Sequence, residues 1–337
     1  MESTVKKYAK RIAGKKVSAH IPYDGRKNGM IVDPSDRAVP VDFIGFGAYQ
    51  LSDGPFELES RNREMVFLPM EGRFHLSTGN QSFSGSRVGG IFAHLPRKSN
   101  ATAVYVPPES RIRLEGEGEM VFFSAPASGG RPPVQVSTEE GTMLRSGAGL
   151  WRRDVLMLVS PDRVSKNLTV GETYSPPGHW SGTPLHVHDK NDPDHDQSDH
   201  EEIYYHRFRL QSRDPFGPYA VQLLFDGITL DESYIIRDRS VIAIPGVSHP
   251  VVSGPVSDHV YTFGLGGIDG SPMMMFDMPE FSYLKTIGNV LSELETRRGA
   301  TEIPRKQLES FKGLDVFTEY QTKLLELILK ERGFTIV

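Results

Sequence analysis

Two long series of short apolar or alternating runs, each broken after a few residues by Gly, Pro, Asn or Ser, constrain this chain more than any other feature. An amphipathic helix needs apolar residues three and four apart over ten or more positions, whereas runs this short carry a period of two and fit strands. The first series lies within residues 41–126 and includes 64–68, 90–93 and 102–106. The second covers 154–159, 168–174, 203–210, 219–225, 233–236, 240–244 and 259–265. Strands at this spacing fold as a sandwich or barrel, so two series predict an all-β chain of two barrels. Residues 125–149, rich in Pro, Gly, Ser and Thr, read as the connection between them. Beyond Pro279 the spacing turns helical over 283–297 and 305–332, giving a C-terminal helical tail. Its apolar stripe around Leu324, Leu327 and Ile328 is expected to be buried on a barrel or in a subunit interface, and a homo-oligomer is expected. The basic opening, residues 5–12, has the makings of a short helix but reads better as a solvated arm. The expected division is an N-terminal extension (1–40), an N-terminal barrel (41–150), a C-terminal barrel (151–278) and the tail (279–337).

Composition removes several functions. With 38 Lys and Arg against 43 Asp and Glu, both signs interspersed, the net charge of −5 offers no footprint for nucleic acid and no polybasic membrane anchor. No apolar run reaches the roughly 18 residues of a membrane span, and residues 1–16 lack the apolar stretch of a secretory signal. The chain has no cysteine, which removes thiolate chemistry and disulfides and fits a cytoplasmic protein.

One constellation carries chemistry. In Pro184-Leu185-His186-Val187-His188 the two histidines sit two apart, so on an extended strand both emerge on one face and can hold one ion together. Glu202 opens a second strand-like run, and His249 follows the Pro245-Gly246 turn that ends the apolar run 240–244. A lone histidine is usually a satisfied surface or core residue. Three imidazoles and a carboxylate from three segments suit a single divalent ion and leave coordination positions open for catalysis. Zinc, manganese, iron, cobalt and nickel all fit that ligand set. The acidic loop 189–200 lacks the ligand order of a calcium loop and reads as a solvated hairpin beside the site, a possible lid whose end residues Asp189 and Glu201 are placed to orient the ligands.

The segment Ser175-Pro176-Pro177-Gly178-His179-Trp180-Ser181-Gly182-Thr183-Pro184-Leu185-His186-Val187-His188-Asp189, followed by Glu201-Glu202-Ile203-Tyr204-Tyr205, resembles the signature of the 5-deoxyglucuronate isomerase family of inositol catabolism. The related 5-keto-4-deoxyuronate isomerases of pectin breakdown are similar over a shorter span. Arg63-Glu64-Met65-Val66-Phe67-Leu68, Gly85-Ser86-Arg87-Val88 and Tyr105-Val106-Pro107-Pro108-Glu109-Ser110 resemble the family's first barrel. The resemblance implies a bicupin, two cupin barrels in one chain, with a catalytic divalent metal only in the C-terminal barrel, held by His186, His188, Glu202 and His249. It also implies conversion of an aldose sugar acid to a ketose, most directly 5-deoxyglucuronate to 5-dehydro-2-deoxygluconate.

A metal that holds a carbonyl and its adjacent hydroxyl permits either proton transfer from C2 to C1 or a direct hydride shift. If Glu202 faces the metal, Tyr204 and His206 share its strand face and are candidates for proton transfer or ligand support. Gln222, on the next expected strand, matches a polar position of the family pattern. Each of these three reads equally well as a barrel-lining residue with a structural hydrogen bond. The chain departs from the family at Tyr261-Thr262-Phe263-Gly264-Leu265-Gly266-Gly267-Ile268-Asp269, where Phe263 stands for a polar residue and an arginine suited to a substrate carboxylate is missing. A divergent member acting on a related sugar is therefore also expected. A metal-dependent cupin oxygenase and a non-enzymatic sugar-binding cupin share the same ligand set and are the alternatives.

Overall fold

The computed structural model describes residues 4–93, 99–209, 217–267, 273–296 and 301–337. Two β-sandwich barrels stand back to back, and a helical cluster follows them. In the first barrel a six-stranded sheet runs in the order Val134–Ser137, Thr102–Val106, Arg63–Pro69, Glu119–Pro126, Gly45–Gln50, Gly29–Val32. It faces a four-stranded sheet of Phe56–Glu59, Arg111–Glu117, Gly72–Thr78 and Gln81–Arg87. The second barrel repeats the plan, with a seven-stranded sheet ordered His20–Ile21, Val241–Ile244, Glu201–Phe208, His259–Gly266, Leu168–Ser175, Arg153–Val159, Thr142–Ser146. Its smaller sheet holds Trp180–Ser181, Val251–Ser253, Ala220–Phe225 and Asp231–Ile236.

The sequences of the central strands explain this arrangement. Arg63–Pro69 and Glu201–Phe208 are buried on both faces because one face fills the barrel and the other packs against the opposite large sheet. Val66, Leu68, Val121 and Phe123 meet Ile203, Tyr205, Val241 and Val260 in that shared layer. Four buried carboxylates stitch the layer polar to polar. Glu64 accepts the backbone N–H groups of Lys166, Asn167 and Leu168 at 2.7, 2.6 and 2.8 Å. Glu201 accepts those of Asp42, Phe43 and Ile44 at 2.7, 2.7 and 3.2 Å. Arg87 pairs with Glu172 and Arg207 with Glu119, each at 2.6 Å.

Four expectations change. The N-terminal segment forms a helix, Thr4–Ala13, which is docked: Tyr8, Ala9 and Ile12 are buried against the second barrel, and His20–Ile21 adds an edge strand to that barrel's large sheet. Tertiary burial of one apolar stripe decides this, which local composition does not reveal. Residues 90–93 form a turn, with Ala93 N–H donating to Gly90 O. Residues 125–149 contain two strands, Val134–Ser137 in the first sheet and Thr142–Ser146 in the second. The tail forms Tyr283–Thr296, Arg305–Glu309 and Glu319–Glu331, and its buried stripe is Leu325 and Leu329, with Leu324 and Ile328 at its margins and Leu327 53% exposed. These helices pack with Ala148 and Trp151, which precede the strand Arg153–Val159.

Candidate functional site

Three backbone carbonyls set the chemistry of the histidines. His186 donates its Nδ1–H to Pro184 O at 2.9 Å, His188 to His200 O at 2.6 Å and His249 to Val247 O at 2.6 Å. A carbonyl oxygen only accepts, so each Nδ1 carries the proton and each Nε2 keeps its lone pair. The Nε2 atoms of His188 and His249 are buried and lack a hydrogen-bond partner among the described residues. They lie 3.4 and 3.1 Å from Glu202 Oε2. Lone pairs from two imidazoles and a carboxylate thus face one another, an arrangement that repels itself and that a cation between them stabilises.

The ligand atoms of His188, Glu202 and His249 lie within 4.8 Å of one another. His186 falls outside that limit, with its ring centre 5.0 Å from that of His249 and 6.4 Å from that of His188. The donor set suits a divalent transition ion. Burial would raise the Glu202 carboxyl, but His188 and His249 outweigh it and hold its pKa down to about 2. Burial opposes charge on His188, yet Glu202 raises its pKa above the ordinary value. His186, buried and beside His249, is pushed down to about 3. Gly246 fixes the approach of two of these segments: its φ is +90°, and a Cβ there would lie 2.8 Å from His188 O.

A cavity of about 140 Å³ opens on the group, lined by His186, Glu202, Tyr204, Ser181, Arg153 and an apolar wall that includes Val155, Met157, Phe263 and Leu265. The larger hollow of about 830 Å³ lies at the first barrel and contains none of these residues. It is lined by carboxylates and guanidiniums, among them Asp33, Glu59, Arg61 and Arg111, and by no histidine.

The sequence profile of the KduI/IolB family matches residues 20–283, which takes in both barrels. The chain belongs to the KduI/IolB family. Among similar proteins is the 5-deoxy-glucuronate isomerase of Geobacillus kaustophilus, 26% identical over 257 residues that cover 74% of this chain and 88% of that protein. An IolB-like protein from Salmonella typhimurium superposes with a TM-score of 0.68 at 24% identity, covering 77% of this chain and 96% of the other. An oxalate decarboxylase mutant from Bacillus subtilis shares the fold with a TM-score of 0.51 at 10% identity, over 81% and 83% of the two chains. The fold is thus that of a bicupin.

Within this KduI/IolB protein the structure separates the three further candidates. Tyr204 lines the cavity, with its ring 5.7 Å from that of His249 and 4.3 Å from that of Tyr261. Burial raises its pKa well above 10, so its hydroxyl keeps its proton. His206 sits away from the cavity lining, paired with His259 at 2.9 Å, which in turn meets Ser253 Oγ at 2.8 Å. Gln222 donates to His249 O at 2.6 Å and Pro250 O at 3.1 Å, and so holds the backbone that carries the third histidine. Asp189 accepts from Gln197 inside the hairpin Asp189–Asp192 and Gln197–Asp199. Glu201 does not orient the ligands: alternation turns it from Glu202 toward the first barrel. Ile268 and Asp269 lie outside the described residues. Sequence reasoning missed Arg153, which belongs to no motif, and gave Tyr261 no role within the divergent stretch 261–269, because only the closed barrel brings their strands beside Glu202.

Proposed function

We propose that this protein is a metal-dependent aldose–ketose isomerase of a sugar acid, converting 5-deoxyglucuronate to 5-dehydro-2-deoxygluconate. The observation that carries the reading is the set of buried, carbonyl-anchored imidazoles whose free Nε2 atoms converge on Glu202. Membership of a family that includes 5-deoxy-glucuronate isomerases supports the substrate class. His188, Glu202 and His249 would hold a divalent ion, zinc or manganese first, with His186 completing the set. Such an ion supplies Lewis acidity toward a carbonyl and its neighbouring hydroxyl.

The chain's own residues do the rest. Tyr204, protonated at its phenolic oxygen, donates a hydrogen bond to a substrate oxygen in the cavity. Val155, Met157, Phe263 and Leu265 exclude water and suit a sugar that carries a methylene in place of one hydroxyl. Gln222 and His206 act by positioning, the first on the His249 backbone and the second within the core behind Tyr204. We also propose that the protein works in the cytoplasm as a homo-oligomer. The absence of cysteine and the exposed Val316, Tyr320 and Leu327 of the tail support this.

Metal analysis of the purified protein, followed by proton NMR of metal-loaded protein with 5-deoxyglucuronate in deuterated water, tests the reading. Conversion to the ketose by loaded protein alone is expected. Full activity after chelation removes the metal role, and no conversion by loaded protein removes this substrate.

A further inference from the structure

We propose that Arg153 is the specificity residue of the cavity, the group that binds the carboxylate of an acidic sugar. This deepens, and rests on, the isomerase reading above. Arg153 opens the strand Arg153–Val159 and lines the same cavity as His186, Glu202 and Tyr204. One arm of its guanidinium is fixed, with Nη1 donating to Thr183 O at 2.8 Å and Trp151 O at 3.2 Å. The Nε–Nη2 edge, which presents two parallel N–H donors, has no hydrogen-bond partner among the described residues, and no carboxylate there lies within 4.0 Å.

Other inward-facing guanidiniums of the fold have their donors taken up, Arg63 by Ser124 and the Phe43 carbonyl. Arg87 and Arg207, more deeply buried than the half-buried Arg153, each meet a carboxylate at 2.6 Å. A guanidinium stays charged at any physiological pH, so an enclosed one without a counter-ion weakens the fold unless a ligand supplies the anion. The free edge has the shape that binds both oxygens of a carboxylate at once. Apolar neighbours such as Val155, Met157 and Phe263 lower the local dielectric and strengthen that pair. The family position after the last histidine, where an arginine is missing, is therefore answered from a different strand of the same barrel.

The test compares wild type with Arg153→Gln and Arg153→Lys, all metal-loaded. Titration calorimetry with glucuronate, and with glucose as its neutral counterpart, is combined with KM and kcat for 5-deoxyglucuronate. Wild type should prefer glucuronate, and Arg153→Gln should bind it about 100-fold more weakly while glucose binding and metal content stay unchanged. Arg153→Lys, which keeps the charge without the two-pronged edge, should fall between them and decides the matter if the glutamine variant does not fold. Glucuronate binding as tight in either folded variant as in wild type, or a wild type that does not distinguish the two sugars, overturns the proposal. Arg153-dependent glucuronate binding without turnover of 5-deoxyglucuronate keeps this assignment and removes the isomerase reading.

Discussion

The two barrels use one scaffold for opposite ends. In each, a central strand of the large sheet carries at or next to its start a glutamate that accepts three backbone N–H groups of the other barrel, Glu64 in the first and Glu201 in the second. In register from there, Met65 of the first barrel matches Glu202 of the second, and Phe67 matches Tyr204. The adjoining strands agree: Phe67 lies opposite Phe122 and Tyr204 opposite Phe263. The first interior is a closed core of Met65, Phe67, Phe74, Leu76, Val104 and their neighbours, whereas the second holds imidazoles and a carboxylate around a cavity. A few inward positions therefore separate a core from a site, while the outward faces keep both barrels locked together.

The largest expected effect comes from erasing that difference. Glu202→Met, which installs the residue of the first barrel, should lower isomerase activity at least about 1,000-fold and abolish stoichiometric metal binding. Its far-ultraviolet circular dichroism should be that of wild type, and retained metal in the variant would sink the ligand assignment. The reciprocal lesion in the first barrel, Phe67→Ala, should cost about 3–5 kcal/mol in denaturant unfolding through the cavity it leaves. Metal content per folded molecule should not change; parallel loss of metal would mean that the first interior shares in the site.

Tyr204→Phe should sharpen the comparison further, reducing kcat about 100-fold with little effect on stability or metal content. An unchanged kcat would return Tyr204 to the role of its counterpart Phe67. Glu201→Gln tests what the barrels have in common: an amide has one accepting oxygen for three N–H donors, so stability should fall by about 2 kcal/mol. Equal unfolding midpoints would show that the stitch contributes little.

The smallest effect expected is a pH dependence confined to the second barrel. Glu202 raises the pKa of His188, so a proton competes with a metal for its Nε2 more strongly than for an ordinary imidazole. Metal affinity should rise as pH increases through that elevated pKa, measured by competition with a chelator. Affinity that stays constant from pH 5 to 8 would contradict the assignment of His188 as a ligand.

Much of this was legible in the sequence, because a period of two shows both where strands lie and which residues share a face. The central strand Arg63–Pro69 is clear from its apolar run Met65 to Leu68 and Glu201–Phe208 from its Ile-Tyr-Tyr centre, and the spacing of His186, His188, Glu202 and His249 points to the candidate site. Edge strands were not legible. Val134–Ser137 and Thr142–Ser146 are largely solvent-facing and embedded in turn-rich sequence, so their pairing depends on partners far along the chain. Arg153 was hidden for a related reason. In Trp151-Arg152-Arg153-Asp154 nothing local distinguishes one arginine from the next, and only the closed barrel turns Arg153 inward.

The docked N-terminus has a consequence for biosynthesis. His20–Ile21 is made well before its sheet partners Val241 and Ile242, which follow the first barrel and most of the second. The opening segment must therefore wait, with Tyr8 and Ile12 unburied, until the late strands emerge. The second barrel is thus completed by chain that precedes the first, which ties the two halves together in sequence as well as in space.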